Sequence, residues 1–437
     1  MNVEVRATKT AAEQALSSAY EGVRAKLPGK GALASLREEA FKRFDAAGLP
    51  HRRVEEWKYT DLRVLMRDAF PLAAPPDAAG KKIGKEAGKI FAALDSRRLV
   101  FVDGAFVPEL SDLTTETGLT ITSMAAALAK GDALVAKHVG KTFETDDAAV
   151  ALNAALMGDG AVIHVAAGTE LKRPIHLVFA AGSDTPSASF VRSLIVVDKG
   201  ARAVIAESHD GGASQMNCAL ELVIGDESQV DYFKATQTRG LHVGSLLLTA
   251  GAKAVFNTFA LNSDAALVRN QGFFRFAGEG THGAIRGVNL LRGKEHVDTT
   301  LLIEHAAGHC DSREQFKSVL DDQGHNVFQG KIVVKPHAQK TDSKMMTRAL
   351  LLSDEAEADN KPELEIFADD VVCGHGATAG ALDPGLKFYL MSRGIDDKQA
   401  EALLIQAFIG ETVEEIEHEG FRDALMAAAL QWLEARG

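Results

Sequence analysis

Glycines recur through the middle of this chain at a nearly constant interval, and each closes a short β-rich run. Gly200, Gly225, Gly251 and Gly278 end corresponding stretches in SLIVVDKGARAVIAES, LELVIGDESQVDYFKA, SLLLTAGAKAVFNTFA and GFFRFAGEGTHGAI, a spacing of roughly 25 residues. The runs mostly alternate apolar and polar residues, as half-buried strands do, and no helical period intervenes. A cycle of that length cannot bury its apolar face alone, so neighbouring cycles must stack. The regularity favours a parallel β-helix (β-solenoid) over a sandwich or jelly roll of equally short strands.

The flanks read as helices. Leu33, Leu36, Ala40 and Phe44 share a face, with Gly48 and Pro50 as a stop. GLPHRRVEEWKYTDLR (48–63) is a turn into a polar stretch that would expose Trp57 and Tyr59, and 71–89 reads as a loose connection. RRLVFVDGAFVPELS (97–111) predicts a hairpin around Asp103-Gly104. Beyond Pro384, Ala400, Leu403, Leu404, Ala407 and Phe408 form one apolar stripe, opened by Asp396 and Asp397 and closed by Gly410. A second helix carries Phe421, Leu425, Ala428, Trp432 and Leu433. This stripe either caps the open end of the solenoid, the reading preferred here, or fills a partner's groove. The expected fold is therefore mainly β, with an N-terminal helical domain (1–95), a β-helix core (96–384) and a C-terminal helical domain (385–437).

Charge and composition remove several function classes. A formal charge of −12 disfavours non-specific nucleic-acid binding, which needs a basic face. No apolar run approaches the roughly 20 residues that span a bilayer, and MNVEVRATKT lacks the apolar core of a secretory signal. Cys218, Cys310 and Cys373, odd in number and widely spaced, make no disulfide framework. A cytoplasmic protein is expected.

Several motifs fail on context. Gly140-Lys141-Thr142 resembles the tail of a phosphate-binding loop, but Val135 stands where its first glycine belongs. Gly278, Gly280 and Gly283 spell G-x-G-x-x-G ahead of a strand, AIRGVNLL, rather than the helix a dinucleotide needs; solenoid corners explain them better. His305, His309 and Cys310 sit in a predicted loop and are read as structural. The adjacent carboxylates Asp321/Asp322 and Asp369/Asp370 point to opposite faces of a strand and make poor acid–base couples.

One pair survives. In KPELEIFADDVVCGHGATAGALD (361–383), Cys373 and His375 are two apart on a strand and so share a face. Thiolate and imidazole suit iron, zinc and iron–sulfur clusters, but two ligands are half of what a tetrahedral site needs. The rest would come from elsewhere, for instance another chain; a buried cysteine beside a hydrogen-bonded core histidine is the competing reading. Gly374 and Gly376 leave the other face bare for a close approach.

The C-terminal block also carries long motifs: QGKIVV, AQKTDS, LLLS, KPELEIFADDV, CGHGAT and FYLMSRGI, the last including Arg393. With GLPHRRVEEWKYT and VFVDGAF upstream, they resemble the SufB/SufD family of the SUF iron–sulfur cluster assembly machinery over most of the chain. Gly376 stands where the SufB branch has glutamate. The segment SKMMTRALLLSDEAEADNKPE (343–363) also lacks that branch's cysteine, so the resemblance is to the SufD side. It implies a right-handed β-helix and a non-enzymatic scaffold subunit that pairs with SufB through β-helix ends and binds the SufC ATPase through its C-terminal helices. Arg393, Leu403, Leu404, Ala407 and Phe408 are the expected docking residues. It further implies no cofactor held stably by the chain alone, but a transient iron or iron–sulfur cluster shared with SufB at His375 and Cys373, and a reduced flavin in the complex. Without SufB, an exposed solenoid edge would let the chain pair with itself. The rival class is a β-helix polysaccharide-active enzyme, which would show clustered Asp, Arg or Lys in a groove.

Overall fold

Stacked coils hydrogen-bond each strand to the coil before and the coil after, and the chain is built that way. The computed structural model describes residues 9–182 and 185–435. Among these, the chain alternates between two sheets: sheet I from Arg97–Val102 to Val372–Gly380, and sheet II from Leu119–Ser123 to Glu357–Ile366. Each coil supplies one strand to each sheet, and successive coils pair in parallel in strict register. The repeat from Leu241 to its partner Leu267 is close to the glycine interval. From His325 to Glu357 it is several residues longer, because the later corners are larger.

The corner glycines are needed for space more than for backbone conformation. A Cβ on Gly278 would lie 1.9 Å from the Ala252 nitrogen of the coil before, and one on Gly225 would lie 2.6 Å from the Lys199 nitrogen. Gly200 does adopt the left-handed conformation, with φ 67°. Inside the coils, Leu220, Leu248, Phe256, Phe274, Ile303, Phe316 and Phe328 fill a continuous apolar lumen.

Each sheet's outer face takes a helical cover. Over sheet II lie Ala11–Val23, Ala32–Ala47 and Ala148–Leu156, with Tyr20, Phe44 and Leu152 packed against Ala188, Phe190 and Val243. Ala32–Ala47 buries Leu33, Ala40 and Phe44 as expected, and Gly48 ends it at φ 73°. The expected hairpin is present, pairing Phe101 with Phe106 across Asp103 and Gly104, both at positive φ. Trp57 is not exposed: it retains 1% of its surface, stacks 3.8 Å from the Arg269 guanidinium and donates to Asp147 at 2.8 Å. The stretch read as a loose connection contains the helix Ala78–Glu86, capped by Asp77. The span 96–160 contributes Arg97–Val102 to sheet I, but it also holds the helices Met124–Lys130 and Ala133–His138.

The C-terminal helices, Pro384–Ser392, Asp397–Val413 and Glu419–Glu434, do not cap the solenoid. The last two fold back along the outer face of sheet I, setting Ile405, Ile409, Val413, Phe421 and Leu425 on Phe233, Phe259, Val288 and Val319. Buried Lys317 pins them by donating to the Phe408 carbonyl and the Glu411 carboxylate. Gly410 lies within Asp397–Val413 rather than ending it, since Asp396 caps the start and the intrahelical ladder continues past the glycine. No helix is long and apolar enough to cross a membrane among the described residues.

A Gly278→Ala substitution must push apart backbones that touch, and should cost roughly 2–4 kcal/mol. Thermal denaturation followed by circular dichroism would show this as a lowered Tm; an unchanged Tm would mean the corner can relax.

Candidate functional site at the open end of the solenoid

Among the described residues, the last coil has nothing stacked on it. Val372–Gly380 pairs only with Asp342–Leu351, and Glu357–Ile366 only with His325–Val334, so both sheets end in a free edge. Ile366, Phe367 and Val372 are 40%, 59% and 60% exposed there. Unpaired backbone beside exposed apolar side chains is what native proteins usually cover.

Cys373 and His375 do share a face, the lumen-facing one, in register with the buried Ser343 and Met345. Cys373 is half-buried against the core. Burial raises its thiol above the usual range, against the pull of a Ser343 backbone hydrogen bond, so in the isolated chain it is a protonated thiol. His375 is exposed at the mouth of the lumen. Neither belongs to a convergent group of three metal-ligating side chains among the described residues. The two glycines differ. Gly374 faces open space, whereas a Cβ on Gly376 would come 2.7 Å from the Met346 methyl.

Polar side chains lead inward from this mouth. Cys373 stands in register with Ser343 and Ser312, whose hydroxyls are 2.7 Å apart, and Ser312 in turn meets His305 Nε2 at 3.1 Å. Burial lowers His305 to about 4, so this ring is neutral. Alongside runs the register Glu314–Met345–His375. Burial pushes the Glu314 carboxyl up to about 8, against the smaller opposing pull of Ser312 and Arg313, so it is a protonated acid at neutral pH. Neither line was visible from local motifs. The signal is the coil repeat, which brings residues about 30 apart side by side.

Farther inside, Glu207 accepts from Tyr232 at 2.8 Å and from His209, with Lys234 3.7 Å away and 3.2 Å from His242. His209, His242 and Cys218 have ligand atoms within 4.8 Å of one another, but the Lys234 ammonium adjoins them and balances Glu207. Cys218 is held as a thiol by burial. Among the rejected motifs, the Gly140 amide donates to the Glu221 carboxylate at 2.8 Å, so an acid lies where a phosphate would bind. Gly278 and Gly280 are corners, while Gly283 lies in the strand His282–Leu291, close under Phe276. His305 ends a strand and faces the lumen rather than sitting in the loop.

The expected docking residues are split between two faces. Ile405, Ile409 and Val413 take the sheet; Leu403 (40% exposed) and Ala407 face outward, Leu404 is intermediate, and Phe408 is half-buried beneath the Lys317 ammonium. Helix Pro384–Ser392 buries none of its side chains and exposes Leu386, Phe388 (72%), Tyr389 and Met391. Arg393, at its C-terminal end, lies over the Tyr389 ring at 5.0 Å. Lys387 ties this helix to Asp397 and Glu401.

The folded chain keeps a proton on Glu314 up to about pH 8, whereas the unfolded chain releases it near the ordinary 4.5. More protons bound in the folded state means that stability falls as pH rises between those values. Glu314→Gln should remove roughly 3 kcal/mol of the difference in stability between pH 5.5 and 8.5. Urea melts of both proteins at pH 5.5 and 8.5 would check it.

Fold and site together define a two-sheeted β-solenoid with helical covers on both flanks and one open end at which Cys373 and His375 share a face. Comparison with known proteins agrees. A family model for the SUF system FeS cluster assembly SufBD core domain matches residues 178–408, and one for the SufBD protein N-terminal region matches 11–177. An iron–sulfur cluster assembly SufBD family protein of Synechocystis sp. is 33% identical, covering 88% of this chain and 87% of that protein. Iron–sulfur cluster assembly protein SufD of Escherichia coli is 31% identical over 87% and 88%, and that of Bacillus subtilis 25% identical over 90% and 92%. The chain belongs to the SufB/SufD family of SUF-system iron–sulfur cluster assembly proteins, and two of the relatives it matches over most of its length are SufD proteins.

Proposed function

We propose that this chain is the SufD-type subunit of a cytoplasmic SUF assembly complex, working as a scaffold rather than as an enzyme. The observation that carries the reading is the open end, where two free sheet edges, an exposed apolar rim and the Cys373/His375 pair coincide. A SufB partner adding its own terminal strands would satisfy the edges and bury the rim. It would also supply the ligands that the pair lacks. His375, exposed and at the mouth, is the side chain placed to hold iron or a nascent cluster transiently. Cys373 would join it once the partner's ligands or the metal lower its thiol. Pairing of two copies of this chain is the expected state when SufB is missing. Reduced flavin belongs, in this reading, to the assembled complex.

The second contact is a SufC ATPase docked on the exposed face of Pro384–Ser392 with Leu403, Ala407 and Arg393, and ATP hydrolysis resides there. The unburied apolar side chains of that helix support this reading, and they move its centre from Leu404 and Phe408 toward Phe388 and Tyr389. Phe388→Asp should abolish capture of the ATPase while leaving Tm within a few degrees, since the side chain is 72% exposed. Equal capture would remove the surface from the docking site.

His375→Ala should leave a complex of unchanged composition by native mass spectrometry but lower the cluster content of target proteins severalfold in cells relying on this system. Normal cluster content with the variant would sink the metal role. Failure to co-purify with SufB and SufC at all would sink the scaffold reading itself.

A further inference from the structure

Apart from Cys373 and His375, a second group of ligand-type side chains converges on the outer face of sheet II. His325 begins the strand His325–Val334, Glu357 begins its neighbour Glu357–Ile366, and the two are paired in register. Asp359 lies two residues along, on the same face as Glu357. One ligand atom from each of His325, Glu357 and Asp359 lies within 4.8 Å of the other two. Glu357 is exposed, and the His325 and Asp359 side chains retain 24% and 26% of their surface, so an ion can reach the group from solvent.

The hydrogen bonds behind His325 leave this group one cation short. Thr60 gives its hydroxyl proton to Asp298, so in its 3.0 Å contact with His296 it accepts from Nε2. His296 Nδ1 faces His325 Nδ1 at 3.1 Å, and His325 Nε2 faces the Asp359 carboxylate at 2.8 Å. Each of these three contacts brings two electron-rich atoms together and needs a positive centre between them. Two neutral imidazoles carry two protons. His296 uses its proton on Thr60. His325 can place its own either toward His296 or toward Asp359, and the other contact is then left facing lone pair to lone pair. With that proton on Nδ1, between the rings, the missing cation belongs at Nε2, between the imidazole and the carboxylates.

A further proton can fill that place, and so can a metal ion. Charge favours the metal, because Glu357 and Asp359 together bring two negative charges and a proton offsets one. Lys361, the next side chain along that face, is engaged by Glu55 and, at 3.2 Å, by Glu363. Geometry favours it as well. Donors about 2.0–2.1 Å from one ion and at right angles about it stand about 2.9 Å apart, close to the 2.8 Å between His325 Nε2 and Asp359. His296 would then accept from His325 Nδ1–H, the outer contact that fixes ring orientation and tautomer in metal-bound histidines.

We propose that His325 Nε2, Glu357 and Asp359 bind one divalent transition-metal ion of the zinc, manganese or iron(II) class on the outer face of sheet II. The imidazole selects such ions over calcium and magnesium, which prefer all-oxygen sets. The site does not rest on the role of Cys373 and His375, which stand on the terminal strand of the other sheet.

The test uses the full-length chain carrying Cys373→Ala/His375→Ala, so that the open end cannot supply the ligands. After stripping with a chelator, this protein is titrated with Zn²⁺ against a chromophoric competitor. One equivalent should bind. Adding His325→Gln should abolish that binding, and adding Glu357→Gln or Asp359→Asn should weaken it about tenfold or more. Zn²⁺ should raise the Tm of the parent but not of the Glu357→Gln/Asp359→Asn protein, whose Tm without added metal checks that it is folded. No stoichiometric binding by the parent would overturn the proposal. So would parental affinity in the folded Glu357→Gln/Asp359→Asn protein, which would place the ion elsewhere.

Discussion

Register between coils is the constraint on which everything else rests. Each strand pairs residue for residue with the coil before it, so any side chain is locked beside one neighbour roughly a coil's length away in sequence. That register stacks Phe256, Phe274 and Phe328 into one lumen and lines up Ser312, Ser343 and Cys373. It also sets His296, His325 and Glu357 abreast on the outside. The corners permit it only where backbone passes close to backbone, as at Gly278 over Ala252.

A solenoid leaves two problems, its flanks and its ends, and this chain treats them differently. The flanks are closed by its own helices, with Trp57 clamped between Arg269 and Asp147 on one side and Lys317 anchoring Asp397–Val413 on the other. The C-terminal end is left open. Completing it with a helix from this chain would bury Cys373 and His375 and satisfy the terminal strands. Among the described residues it presents unpaired strand edges, which a further strand can extend.

Ionisation follows the same geometry. Glu314 is neutral because the lumen offers it little polar compensation, whereas Glu207, in the same lumen, is held well ionised, at about 2, by Lys234, His209 and Tyr232 despite complete burial. Two carboxyls of one lumen therefore carry opposite states for reasons of neighbours, not depth. Cys373, between core and mouth, remains a thiol until its surroundings change.

Much of this was legible in the residues alone. The glycine interval, the Asp103-Gly104 hairpin, the helix ending at Gly48, the Asp396 cap and the shared face of Cys373 and His375 all follow from periods and turn chemistry, which are local. Long motifs of the terminal block pointed to the family. What only the tertiary structure decided was every choice between equivalent faces. Asp397–Val413 is apolar on both sides, so its sequence could not say that Ile405 and Ile409 would meet the sheet while Leu403 stayed out, nor that it would cover a flank rather than an end. Trp57 looked exposed among charges because its partner, Arg269, lies more than 200 residues away. The facing histidines, His296 and His325, were invisible for the same reason: one-dimensional spacing carries no register, and register is what brings such side chains together.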